Sequence, residues 1–288
     1  MRLDAGTVLL QWATGGLFFL WVTTRRREVG LGYGWLLRGV FLVLAAISAV
    51  IVAGQTSGAG EVVRTVGAVG TSTAAAVALV VSVARRGAGV GGQRARRAAR
   101  AEQVAAMAGR SAPTADAARS DGAREFPPAL DLVGAAAGLI GLLGAAAAVG
   151  GPYALSAFRL VVGALFLGAL TDAMLLGHWY LVQPGLSREP IRQMVVLAAV
   201  VWPFEVAGLL WPVGMAQALD GTVDDGFGGL LGWMWAVSAV TTIALVAATW
   251  LALRERYYSA VMAATGLLYL AILTALGTDL LARAVLAP

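Results

Sequence analysis

The side chains of this chain that could do proton, metal or electron chemistry are few, and they gather in one region. Between positions 154 and 193 lie Arg159, Asp172 and the single histidine, His178, which heads the triplet His178, Trp179, Tyr180. A second carboxylate, Glu205, follows in VWPFEVAGLLWPVG, where Trp202-Pro203 recurs as Trp211-Pro212. In an apolar helix, titratable groups are costly to hold and mark a functional site by default. A carboxylate pair points to proton relay, and an imidazole among aromatics points to a quinone head group or a haem ligand. Asp172, Glu205, His178, Arg159, Trp179, Tyr180 and Trp202 are therefore the candidate ligand-binding or relay residues. His178 is the lone candidate haem ligand.

Several chemistries are excluded. With no cysteine, the chain has no disulfides, thiolate metal sites, iron–sulfur ligands or cysteine nucleophiles. A single histidine rules out bis-histidine haem ligation within the chain and any multi-histidine zinc site. Neither HExxH nor GxSxG occurs, so catalysis by this chain alone is not expected.

The elements that position these residues are apolar helices. Hydrophobic residues make up 59% of the chain and charged ones only 13%, about half the usual share of charge in a soluble domain. The expected fold is all-α, a polytopic bundle in a bilayer. A spanning helix needs about 20 mostly apolar residues, and that test predicts eight spans. They cover residues 5–22, 35–53, 66–84, a run after Pro127-Pro128 up to 149, then 155–182, 190–213, 230–253 and 259–281. Three arginines, Arg25, Arg26 and Arg27, follow the first span. A cleaved signal peptide carries its charge before the apolar run, so this helix is expected to be retained.

Residues 85–126 separate spans 1–3 (residues 1–84) from spans 4–8 (residues 127–288). The segment carries nine arginines against four acids; helix is predicted from about 93 to 107 and a flexible linker from 111 to 124. With no aromatic before Phe126 it offers no base-stacking platform, and no nucleic-acid partner is expected. Arginines crowd the odd-numbered loops, while loop 2 holds only Arg64 and loops 4 and 6 none. The odd loops are thus expected in the cytoplasm and both termini outside, in a cell membrane of the bacterial inner-membrane kind. The acidic loop 218–229, with Asp220, Asp224 and Asp225, reads as a solvated turn because its spacing fits no calcium loop.

Within the bundle, Gly134, Gly138, Gly141 and Ala145 form small-xxx-small repeats that bring helix backbones close. In the fifth span, Asp172 stacks over Gly168 and Ala164, a groove suited to a neighbouring helix or a flat ligand. At about 100° per residue, Asp172 stands about 120° from His178 and about 140° from Arg159, so the three do not share a face. Arg159, near the outer end, has the reach to snorkel to the surface. Pro203 and Pro212 are expected to kink the sixth span and to free the carbonyls of Ala199 and Gly208. Asp172 and Glu205 come out at similar depth.

Three functions follow as expectations. The first is a membrane subunit that binds a hydrophobic redox or lipid ligand, a quinone or one haem, between the fifth and sixth spans, within a larger complex of membrane subunits. The second is a proton-coupled secondary transporter or channel using Asp172 and Glu205. The third is a scaffold subunit without chemistry.

Overall fold

In the computed structural model, which describes residues 3–55, 57–107, 124–183, 185–212 and 214–286, 81% of the described residues are helical and no strand occurs among them. Eight helices are long and apolar enough to cross a membrane: α1 (Ala5–Thr24), α2 (Leu31–Ala53), α3 (Ala59–Ala84), α5 (Leu130–Val149), α6 (Tyr153–Val182), α7 (Glu189–Leu210), α9 (Leu230–Ala252) and α10 (Tyr258–Val285). Two helices do not span: α4 (Gly91–Met107), in the basic segment, and the short α8 (Met215–Leu219) between α7 and α9. The chain is a multi-pass helical membrane protein. The linker expected at 111–124 lies almost wholly outside the described residues.

Successive spans run antiparallel, so the bundle has an arginine-rich end and a far end. At the basic end, loops are tied by side chains to carbonyls. Arg188 donates to the Arg256 and Tyr257 carbonyls at 2.8 Å each, and Arg192 to that of Leu253 at 2.6 Å. Gln183 accepts from the Gly30 amide at 2.9 Å, joining the α1–α2 turn to the end of α6.

α1 and α6 form the centre. Their apolar windows are 72% and 78% buried, against 28% for α9. α1 packs on α2, α5 and α6, while α6 also carries α7 and α10, and the pairs α3/α5 and α9/α10 flank the core. Glycine sets the closest approaches. A Cβ on Gly15 of α1 would overlap the Ala164 carbonyl of α6, and one on Gly168 would overlap the Gly15 backbone. The groove over Ala164 and Gly168 is therefore filled by α1. On α5, Gly141 meets Gly67 backbone to backbone and Gly144 meets the Arg64 amide, as the small-xxx-small pattern requires.

Two helices run on past a charged residue at which hydropathy alone ends the span, for one reason. α3 starts at 59 instead of 66 and so takes in Arg64; α10 reaches 285 instead of 281 and takes in Arg283. Both arginines are buried. Each is matched inside the protein, Arg64 by Asp4 and Arg283 by Asp279, both at 2.7 Å. An apolarity count ends a span at a charge, whereas a paired charge lets it continue.

Candidate functional site: a charged centre in the far half of the bundle

The site is built around the end of α7. Pro203 lies inside that helix, but Pro212 does not kink it: α7 stops at Leu210, and Trp211 is extended (φ −137°, ψ 154°). A residue before proline is pushed out of helical conformation, so the pair terminates the span. Pro212 has no amide hydrogen to offer Gly208, four residues earlier. Arg159 supplies the missing donor, its Nε lying 2.7 Å from the Gly208 carbonyl. Arg159 is buried and turns inward to this helix end; snorkelling does not describe it.

Glu205 sits one turn before Gly208 and is also buried. Gly163 of α6 leaves room for it: a Cβ there would overlap Gln11 Nε2 and lie 3.5 Å from Glu205 Oε1. On α10, Arg283 Nε donates to Asp279 at 2.7 Å, one turn away on the same face, and the same guanidinium donates to Gln11 Oε1. The charges acting on Glu205 are those of Asp279, Arg283 and Arg159. Five buried polar side chains from α1, α6, α7 and α10 thus meet in one place. Among the described residues, Glu205 Oε2 and Gln11 Nε2 have no hydrogen-bond partner.

Asp172 belongs to a different level. Glu205 Oε1 lies beside Gly163, and nine residues of helix separate Gly163 from Asp172, about 13 Å along α6. The expectation that the two carboxylates share a depth is corrected by this spacing, and the Gly15/Gly168 seam lies between them. Asp172 is wholly buried, and neither of its carboxylate oxygens has a partner among the described residues. The Tyr33 hydroxyl donates to its backbone carbonyl at 3.3 Å, and Trp12 donates to the neighbouring Thr171 hydroxyl at 2.6 Å. The charge acting on it is that of Asp131. Asp131 is held by Arg38 through two 2.7 Å bonds, under the Phe126 ring 4.0 Å from the guanidinium.

The aromatic triplet lies at the basic end and does not join either carboxylate. His178 is exposed on the outside of α6. Trp179 packs over Gly32 and tilts against Tyr33 at 6.1 Å, with its indole donating to Gln183 at 3.0 Å. Tyr180 is buried; its hydroxyl donates to the Ser187 carbonyl and its own carbonyl accepts from Tyr258 at 3.1 Å. Trp202 ties α7 to α9 through the Ala239 carbonyl at 3.1 Å. Sequence reasoning missed Asp279 and Arg283, although their i, i+4 spacing was a legible signal of an ion pair on a helix. Gln11, the one strongly polar side chain in the middle of α1, carries no such spacing signal.

At the far end, Arg64 bridges Asp4 at 2.7 Å and Gln55 at 2.8 Å. A small cavity of about 20 Å3 lies here, bounded by Asp4, Thr7, Arg64, Ser156, Leu160 and Arg283. In the acidic loop, Asp225 accepts from the amides of Phe227, Gly229, Leu231 and Gly232, closing the turn into α9. Among the described residues, no three acids or histidines group as metal ligands.

Fold and site together define a polytopic helical membrane protein with a charged centre buried in one half of its bundle. No protein-family model, curated protein or solved structure matches this chain.

Proposed function

We propose that this protein is a proton-coupled membrane transporter or channel in which Glu205 and Asp172 carry protons. The observation behind this reading is the setting of Glu205, a buried carboxylate beside a helix end with one oxygen that has no partner among the described residues. Burying an ion without full pairing costs several kcal/mol. A carboxyl group meets that cost by taking up a proton or by meeting water, and a group that alternates between the two carries protons. Irregular backbone at membrane depth, such as the end of α7, is tolerated where it is buried in protein or faces a cavity. Asp172, on the central helix α6 and nearer the basic end, is a second acid whose carboxylate oxygens have no partner among the described residues. Proton flux into liposomes holding the protein tests the reading. Glu205→Gln and Asp172→Asn should each lower flux to that of protein-free liposomes; unchanged flux in both sinks it.

A second reading, a subunit holding a quinone, a haem or a lipid within a larger complex, draws on a different observation. An apolar crevice of about 450 Å3 opens between α1, α5 and α6, walled by Phe18, Leu139 and Leu165 among others. It would take an acyl or isoprenoid chain, and it does not lie between α6 and α7. Visible absorbance and organic extraction of the purified protein test this reading. It fails if neither pigment nor prenyl lipid co-purifies.

A further inference from the structure

We infer that in this conformation of the bundle Glu205 exchanges its proton with the far side of the membrane, through a water-filled passage walled by Asp4, Thr7, Arg64, Ser156 and Arg283. The inference rests on the proton-coupled reading and adds a direction and a route to it.

The far-end cavity holds about 20 Å3, room for about one water molecule. That is too small for an organic solute, so the route suits protons and not a larger cargo. Arg283 belongs to both places. It forms part of the cavity wall, and inside the bundle it donates to Asp279 and Gln11. Unpartnered polar atoms mark the way inward: Arg64 Nε near the cavity, then Gln11 Nε2, then Glu205 Oε2. Buried water occupies such positions, making about three hydrogen bonds to groups that protein atoms leave unsatisfied.

On the opposite side the way is shut. The α1–α6 seam at Gly15, Ala164 and Gly168 is too tight for a Cβ, and Leu17, Leu20, Leu167 and Leu170 below it are apolar and fully buried. Between the level of Glu205 and that of Asp172 the polar groups on these two helices are already paired: the Thr14 and Thr171 hydroxyls donate to the Leu10 and Leu167 carbonyls, and the Trp12 indole donates to Thr171.

The step itself is a simple transfer. A hydronium ion in the passage gives up one O–H bond, Glu205 gains the proton on a carboxylate oxygen, and water stays behind. Arg159 on α6, Gln11 on α1 and Asp279 with Arg283 on α10 face Glu205 throughout. Two arginines balance two acids before uptake, and the centre carries one net positive charge after it. Arg283 acts as a positioning residue, holding Gln11 and the inner end of the passage.

Infrared difference spectra of the protein, inserted in one orientation in liposomes, test this. The carbonyl stretch of a protonated carboxyl that disappears in Glu205→Gln identifies the group. Stepping the pH on the far face alone should change that band at once, stepping it on the basic face alone should change it only after the delay of a transport cycle, and Ser156→Leu, which fills the cavity, should slow the far-face response without shifting the unfolding temperature of the protein by more than a few degrees. A band that answers the basic face at once, or neither face, overturns the route, even if flux still depends on Glu205. A band that follows the far face while Glu205→Gln leaves flux unchanged keeps the route and removes the transport reading. Should Ser156→Leu unfold the protein, Thr7→Val provides the second probe, and an unslowed response in a folded Thr7→Val, where the cavity loses a hydroxyl, counts against the passage.

Discussion

Arg159 Nε lies 2.7 Å from the carbonyl of Gly208, the group that Pro212 leaves without its helical donor. A residue near the start of α6 thereby seals the end of α7. Replacing Arg159 with leucine would leave a buried acceptor without a partner. The expected loss is about 1–3 kcal/mol, read as a lower midpoint in denaturant titration of the protein in detergent. Wild-type stability in that variant would show that the bond is replaced by water.

The Arg38–Asp131 pair is a separate, fully satisfied buried ion pair, with Ser82 as a further acceptor of the guanidinium at 3.2 Å. Removing one partner of such a pair strands a charge. Asp131→Ala should cost about 3–5 kcal/mol, whereas Arg38→Met combined with Asp131→Leu should recover most of it. A double variant no more stable than Asp131→Ala would mean that the pair does more than neutralise charge.

Gly15 and Gly266 predict opposite outcomes for the same substitution. Gly15→Ala places a methyl group on the Ala164 carbonyl and must part α1 from α6, for a cost of about 1–3 kcal/mol or more. Gly266→Ala meets nothing within 4 Å, and in mid-helix should be stabilising by about 0.5–1 kcal/mol. Thermal unfolding of the two variants side by side checks both signs.

Asp225 makes the turn before α9 sensitive to acid. Removal from water pushes its pKa up, but bonds from the amides of Gly229, Phe227, Leu231 and Gly232 outweigh this and hold it below the ordinary 3.8. A carboxylate with a depressed folded pKa contributes stability above 3.8, and that contribution fades as pH falls through the folded value. Amides 227–232 should therefore lose protection, measured against the exchange rate of an unfolded peptide at the same pH, once the pH drops below about 3.8, and Asp225→Asn should remove that change in protection. Protection that stays flat with pH in the unmodified protein would contradict the assignment.

His178 faces outward from α6. His178→Ala should change stability by less than about 0.5 kcal/mol, as for an ordinary surface position. If pigment co-purifies and is lost in this variant, the imidazole is a haem ligand despite its exposure.

The sequence alone determined the solvent, the number of spans and their alternating direction, and it placed the glycine faces of α5 and α6. Hydropathic length, arginine bias and small-residue spacing are local properties, readable one segment at a time. What only the tertiary structure decided is the partner of each polar side chain. Asp172 and Glu205, close in a count of residues, part company because Glu205 meets α6 at Gly163, nine positions before Asp172. Arg64 and Arg283 look like span boundaries until Asp4 and Asp279 neutralise them, and Gln11 gains meaning only when α1 settles against Gly163. The rotation and height of a helix are set by the helices it touches, and those contacts join residues as far apart in the chain as Gln11 and Arg283.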